Sequence, residues 1–188
     1  MKELNGKTVL LRGITESDID DRYALGKNDE FIYMCGGNRN GTTLYPDRKH
    51  WIAWHDSFKE NEYAWIIEYN SRCIGSARLY HISETDHSAA YAIGIFDVSL
   101  LSKGIGSEVT KLDLEYTFKE MKLHRVDLKV LDYNKRAIRC YEKCGFKVDG
   151  ILRDSAFIEG AYHSDVIMSI LEDEWERNEG REVGLVGS

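Results

Sequence analysis

The chain holds a single proline, Pro46, in 188 residues, and no stretch rich in proline, glycine or serine. With no linker signal, internal repeat or low-complexity tract, it reads as one domain, long enough to bury roughly 70% of its unfolded surface. No apolar run approaches the length of a membrane span, and Met1–Lys7 lacks the apolar core of a secretory leader. Neither a membrane span nor export is therefore expected, and the expected compartment is the cytoplasm. Cys35, Cys73, Cys140 and Cys144 form no Cys-x-x-Cys pair and have no histidine at zinc-finger spacing. Cys140 and Cys144, four apart, read as small helix residues with reduced thiols, so neither a disulfide nor a metal site is expected. A basic excess is missing too: 25 Lys and Arg against 32 Asp and Glu leave a net charge of −7. That argues against general affinity for nucleic acid and suits a cationic partner.

What is present is an ordinary globular composition, 43% hydrophobic and 30% charged. Lys7–Arg12 reads as a strand. Thr15-Glu16-Ser17-Asp18 reads as an N-cap with an acid three positions on, opening a helix to about Lys27. Met34–Gly41 reads as a loop, and Pro46 as the first turn of a helix carrying Trp51, Trp54 and Phe58. Three strands follow at Tyr63–Tyr69, Cys73–Tyr80 and Ala89–Phe96, with turns at Asn70-Ser71 and Ser83–His87. A helix over about 103–121, a strand His124–Leu131, a short helix from Asn134 to Gly145, and a strand pair Phe146–Arg153 and Tyr162–Leu171 complete the pattern. The order β-α-α-β-β-β-α-β-α-β-β predicts an α+β fold, one mixed, mostly antiparallel sheet flanked by helices. The domain is expected over residues 1–178, with 179–188 as a disordered tail.

Two motifs carry chemistry. The first is Leu101-Ser102-Lys103-Gly104-Ile105-Gly106-Ser107, between the apolar run ending at Phe96 and a helix. Ile105, Val109, Leu112 and Tyr116 share one face of that helix. Two glycines at its start leave backbone N–H groups uncovered at the positive end of the helix dipole, an arrangement suited to phosphate. The spacing is not that of a P-loop, and Val109 stands where a dinucleotide fingerprint wants a small residue. The second motif is Asn134-x-x-Ala137-x-x-x-Tyr141-x-Lys143-x-Gly145-Phe146. Asn134 suits an N-cap and Gly145 the C′ position.

Together these motifs and the element order resemble the GNAT superfamily of acyl-CoA-dependent N-acyltransferases, in its RimJ/RimL/SpeG-like branch, over residues 7–172. The resemblance implies acetyl-CoA as acyl donor and a primary amine as acceptor: a polyamine, a protein N-terminus, or an amino sugar or aminoglycoside. The family's phosphate loop begins with Arg or Gln where Leu101 stands here. By resemblance, Leu101 to Ser107 hold the pyrophosphate, and the strand Ile93-Gly94-Ile95-Phe96 pairs with the pantetheine arm. Asn134 and Ala137 lie beside the cofactor, and Lys143 is either near a cofactor phosphate or solvated. Gly94 marks either a bulge or a close backbone approach. A strand N–H near Ile95 or Phe96 is expected to polarise the thioester carbonyl. Tyr141 is implied as general acid, since an ordinary tyrosine hydroxyl is protonated at neutral pH.

The general base is open. Ala90 stands where many relatives carry glutamate, which leaves ordered water and carbonyls, one of Glu84, Asp97 and His81, or an acceptor of low pKa. Acceptor contacts are expected from segments 28–45, 81–88 and 155–163. Asp29, Glu30, Glu84 and Asp86 are expected to form an anionic rim for a cationic acceptor. A non-catalytic acyl-CoA-sensing module on the same fold is the alternative, and the resembling branch implies a possible homodimer.

Overall fold

The computed structural model describes residues 2–36 and 48–185, with side chains of the last helix described as far as Asn178. Among the described residues eight strands form one sheet in the order β1-β2-β3-β4-β5-β6-β8-β7. They are β1 (Leu4–Asn5), β2 (Leu10–Arg12), β3 (Ala64–Tyr69), β4 (Arg72–Ser83), β5 (Ser88–Ile95), β6 (Arg125–Leu131), β7 (Lys147–Ile158) and β8 (Ala161–Leu171). The helices are α1 (Ser17–Ala24), α2 (Asp29–Met34), α3 (Arg48–Lys59), α4 (Ile105–Lys119), α5 (Lys135–Lys143) and α6 (Glu172–Leu185). Every strand pairing is antiparallel except β5 with β6, which run parallel across the α4 crossover. This is the mixed, mostly antiparallel sheet that the element order predicts.

The helix period of the phosphate-loop segment is realised in α4. Ile105 and Val109 are buried, with Leu112 and Tyr116 packed at the margin of the same core. Val126, Leu128 and Val130 on β6 and Val166, Met168 and Ile170 on β8 complete this layer. The opposite face carries a smaller core of Phe58, Ala64, Ile66, Cys73 and Phe96 beneath α1 and α3. Arg22 of α1 is buried there, with its guanidinium carbon 4.1 Å from the Trp51 ring centroid and 4.4 Å from that of Phe96. Such contacts keep a buried cation attracted to aromatic faces.

Several expectations are corrected. Thr15 does not cap α1. Instead Asp18 reaches back to accept from the Thr15 N–H (2.7 Å) and takes a two-pronged ion pair from Arg12 at 2.8 Å on each oxygen. That helix stops at Ala24, short of Lys27, because Gly26 turns with φ 66°. Before the expected Met34–Gly41 loop lies a helix the periodicity did not show, α2. Its Asn28 cap accepts from the Phe31 N–H at 2.9 Å, and six residues are too few to display a helical period. Residues 37–41 of that loop, and Pro46, lie outside the described residues. The strand β1 is an addition, since two residues carry no alternation. The C-terminal segment continues as α6 to Leu185. Among the described residues no helix is long and apolar enough to cross a membrane.

Candidate active site

Strands β5 and β6 pair only through Ser88–Ala90 and Arg125–Asp127. Beyond that point both continue but part, and the crevice between them opens into a cavity of about 710 Å³. On its other edge β5 stays bound to β4, and the Phe96 N–H donates to the Ile74 carbonyl at 2.7 Å. Backbone polar groups alternate sides along a strand. Gly94 and Phe96 therefore point theirs at β4, while Ile93 and Ile95 point theirs into the open crevice. Of the two donors expected to polarise an acyl carbonyl, Phe96 is thus engaged in the sheet and Ile95 faces the cavity. Phe96 does not line the cavity; its ring lies beneath α2, edge-on to Phe31 at 5.6 Å.

Gly94 is not a bulge, because the β4–β5 register runs regularly through it. A Cβ there would meet the Phe31 ring at 3.5 Å, an ordinary van der Waals contact, so Phe31 packs on this face of the strand without excluding a side chain. The close backbone approach lies across the pair, at Gly75, where a Cβ would fall 2.4 Å from the Gly94 carbonyl oxygen.

The loop after β5 reaches α4 through Gly104, the N-cap, whose φ of 87° is a left-handed conformation that favours glycine. Nothing lies within 4 Å of where its Cβ would stand, and the first turn of α4, whose N–H groups have no partner within the helix, borders the cavity at Gly106 and Ser107. A Cβ on Gly106 would sit 3.4 Å from the Cys140 sulfur, which marks the close approach of α5. Leu101, Ser102, Gly104, Gly106 and Ser107 line the cavity, whereas Lys103 is exposed outside it and Ile105 turns into the core.

From the far wall, α5 contributes Asn134, Ala137, Cys140, Tyr141 and Lys143. The Asn134 side chain accepts from the Ala137 N–H at 3.1 Å as the predicted cap and donates to the Met34 carbonyl at 3.3 Å. Next to it the Tyr133 hydroxyl donates to the Tyr33 carbonyl at 2.6 Å, with the two rings stacked at 4.5 Å. These contacts latch α2 over the cavity. Tyr141 is 7% exposed and lines the cavity. Burial, above all, pushes its hydroxyl well above the ordinary tyrosine pKa, with further help from the neighbouring cysteines, so it is protonated at neutral pH. For Cys140 a hydrogen bond from Cys144 outweighs burial and, with Ser107 and the Lys143 charge, lowers the thiol pKa.

The expected acidic rim is not assembled at the cavity. Asp29 pairs with Lys27 at 2.6 Å and Glu30 with Arg136 at 2.9 Å. Asp86 accepts from the Ser83 hydroxyl at 2.8 Å, and Glu84 is exposed in the same turn. None of these four acids lines the cavity, nor do Glu84, Asp97 or His81 as candidate bases. Of the three expected acceptor segments, 28–45 reaches the cavity through Phe31, Met34 and Cys35, while 81–88 and 155–163 do not. Among the described residues the wall instead carries Arg78, Lys129, Arg136, Arg139 and Lys143 against a single carboxylate, Asp165. Arg78, Tyr80, Lys129 and Asp165 were missed. Strand alternation could have put Arg78 with Tyr80 and Lys129 with Leu131 on shared faces, yet no sequence signal brings β4, β6 and β8 to one cavity.

A parallel strand pair that parts beside a glycine-opened helix, with a tyrosine across the gap, defines the class as acyltransfer enzymes of the GNAT fold. Comparison with known proteins agrees. The family model described as "Acetyltransferase (GNAT) domain" matches residues 8–147. The chain is 28% identical to the Bacillus subtilis protein named "Probable N-acetyltransferase YjcK", over 93% of this chain and 99% of that one. It is 32% identical to the spermidine N(1)-acetyltransferase of Vibrio cholerae, over 81% of this chain and 92% of that protein. The fold also matches a solved spermidine N-acetyltransferase from Vibrio cholerae in complex with CoA and spermine, at TM-score 0.75 and 23% identity, covering 89% of this chain and 98% of that one. The chain belongs to the GNAT acetyltransferase family, and its class is that of acyl-CoA-dependent N-acyltransferases.

Proposed function

We propose that the protein transfers an acetyl group from acetyl-CoA directly to a primary amine, with no covalent enzyme intermediate, in the cytoplasm. The observation that carries this reading is the unpaired edge of β5 at Ile93 and Ile95, leading to the open N-terminus of α4 with Tyr141 in the same cavity. An extended pantetheine chain has amides to add to such an edge as a further strand would. A pyrophosphate suits the bare N–H groups after Gly104, and Arg139 and Lys143 add positive charge.

The bound thioester supplies the activated acyl carbon. The Ile95 N–H points into the crevice, where a donor stabilises charge developing on the acyl oxygen. As the amine nitrogen forms its bond to carbon, the carbon–sulfur bond breaks, and Tyr141 gives its hydroxyl proton to the departing sulfur. The proton lost by the amine then restores the tyrosine through solvent. Ala90 and the exclusion of Glu84, Asp97 and His81 from the cavity favour water or an acceptor already neutral as the route of proton removal. Among acceptors the reading keeps a polyamine, a protein N-terminus, and an amino sugar or aminoglycoside. The assembly proposed is a homodimer, read by light scattering.

Thiol release from acetyl-CoA with a panel of primary amines tests the reading. Amine-dependent release with an N-acetylated product is the expected result. Tight CoA binding with no turnover on any amine would favour the sensing module on the same fold.

A further inference from the structure

Strand β5 presents different faces to the two halves of the cavity. Tyr91, Ile93 and Ile95 share one, and Tyr91 identifies it as the α4 side, since its hydroxyl bonds Thr110 at 3.2 Å. Ala92 and Gly94 share the other, where Phe31 of α2 packs. Arg139 and Lys143, on α5, belong with the α4 side and with the cofactor phosphates of the proposed function. Arg78 and Lys129 do not. Arg78 lies directly opposite Ala92 in the β4–β5 register, and its guanidinium carbon is 5.4 Å from the Tyr80 ring centroid. Lys129 is two residues past Asp127, the last β6 partner of β5, so continued register would place it opposite Ala92 from the other flank.

Two cations therefore border a floor of small side chains, Ala92 and Gly94, on the half of the cavity that the phosphate loop does not reach. Among the described residues neither is ion-paired. The one carboxylate that the described residues put on the wall, Asp165, is already bonded to the Ser155 hydroxyl at 2.9 Å. Asp127, the next acid along that face of β6, lies 3.8 Å from Arg125. A pantetheine arm has no charge for Arg78 and Lys129 to meet. A polycation at this floor would meet two like charges.

We propose that the acceptor carries an oxyanion, a carboxylate or a phosphate ester, a few bonds from its primary amine, and that Arg78 and Lys129 hold that oxyanion over Ala92. The proposal rests on the acetyl-transfer reading and narrows its acceptor away from polyamines. An arginine fork and a lysine point charge both suit an oxyanion, the arginine giving direction and the lysine charge.

The test compares matched amines by thiol release from acetyl-CoA: 4-aminobutanoate against putrescine, glucosamine 6-phosphate against glucosamine, and spermidine. In the wild type at least one oxyanion-bearing probe should exceed its uncharged or cationic counterpart by about tenfold or more in kcat/KM. The carboxylate and phosphate pairs tell the two sources apart. Arg78→Gln with Lys129→Gln should lower kcat/KM for that probe by about 10- to 100-fold through KM, the scale of lost charge-assisted hydrogen bonds. The upward Tm shift given by CoA should persist in the double variant, which shows that it folds. Preference for spermidine, or a double variant with unaltered selectivity, would overturn the proposal. If no amine turns over, the acetyl-transfer reading fails separately, and the subsite is then read by calorimetric titration of the same two oxyanion probes into CoA-saturated protein. Binding lost in the double variant would support the subsite, and absence of binding in the wild type would overturn it.

Discussion

At the scale of single residues, two neighbours on one helix line the cavity in environments that push them in opposite directions. Tyr141 is buried and keeps its proton, while Cys140, one position earlier, faces Ser107 and is drawn toward its thiolate. Tyr141→Phe keeps the ring packed against Phe146 and removes only the hydroxyl. It should lower kcat by about 10²- to 10⁴-fold with little change in CoA affinity, as for loss of a general acid. Single-turnover thiol release with a competent amine measures this, and an unchanged rate would make Tyr141 a packing residue. Cys140 should react with iodoacetamide at pH 7 ahead of Cys73, whose thiol burial pushes up to about 12. Saturating CoA should slow that labelling, because Cys140 shares the cavity wall with the phosphate loop. Peptide mass spectrometry with and without CoA checks it, and indifference to CoA would place the cofactor elsewhere.

Among the elements, the start of α4 carries the proposed phosphate site. Its N-cap glycine has a left-handed backbone and empty space where a side chain would stand. Gly104→Val would meet no neighbour at its Cβ, yet the left-handed backbone costs about 1–2 kcal/mol for such a residue. The added side chain would also stand over the exposed N–H groups. The variant should fold with a lowered Tm and lose most of the upward Tm shift that CoA gives the wild type by mass action. A full CoA response in a thermal-shift titration would displace the phosphate site from this loop. The latch on α2 belongs to the same scale. Periodicity could not reveal a six-residue helix, and its tie to α5 through Asn134 and Met34 spans 100 positions of sequence.

For the molecule as a whole, one buried group sets a dependence on pH. The Asp113 carboxyl, on α4 inside the main core, has no hydrogen-bond partner for either oxygen among the described residues. Burial pushes its pKa from 3.8 up to about 8, with Tyr91 offsetting part of the rise. Folding thus holds a proton that the unfolded chain releases above about pH 4, so this group's contribution to stability falls as pH rises and levels off above about pH 8. The difference in Tm between pH 5 and pH 8 should shrink in Asp113→Asn. An identical slope in the variant would assign the pH dependence to other groups.

Local pattern was enough for the longer elements, though not for the six-residue α2 or the two-residue β1. The period of Ile105 and Val109, the caps at Asn134 and Gly145, and the paired glycines at 104 and 106 act within a few residues of chain, so each is readable where it stands. Charge was not readable in the same way. Asp29, Glu30, Glu84 and Asp86 suggested an acidic rim, but Lys27, Arg136 and Ser83 take up three of them, and all four lie off the cavity wall. Arg78 and Lys129 flank β5 only because β4 pairs with its outer edge and β6 parts from its inner one. A net charge of −7 averages over the whole surface, whereas a site responds to the few charges within about a Debye length, roughly 10 Å at 0.1 M salt. Which charges those are was decided by the sheet, since strand order is a matter of long-range pairing that no local stretch of sequence encodes.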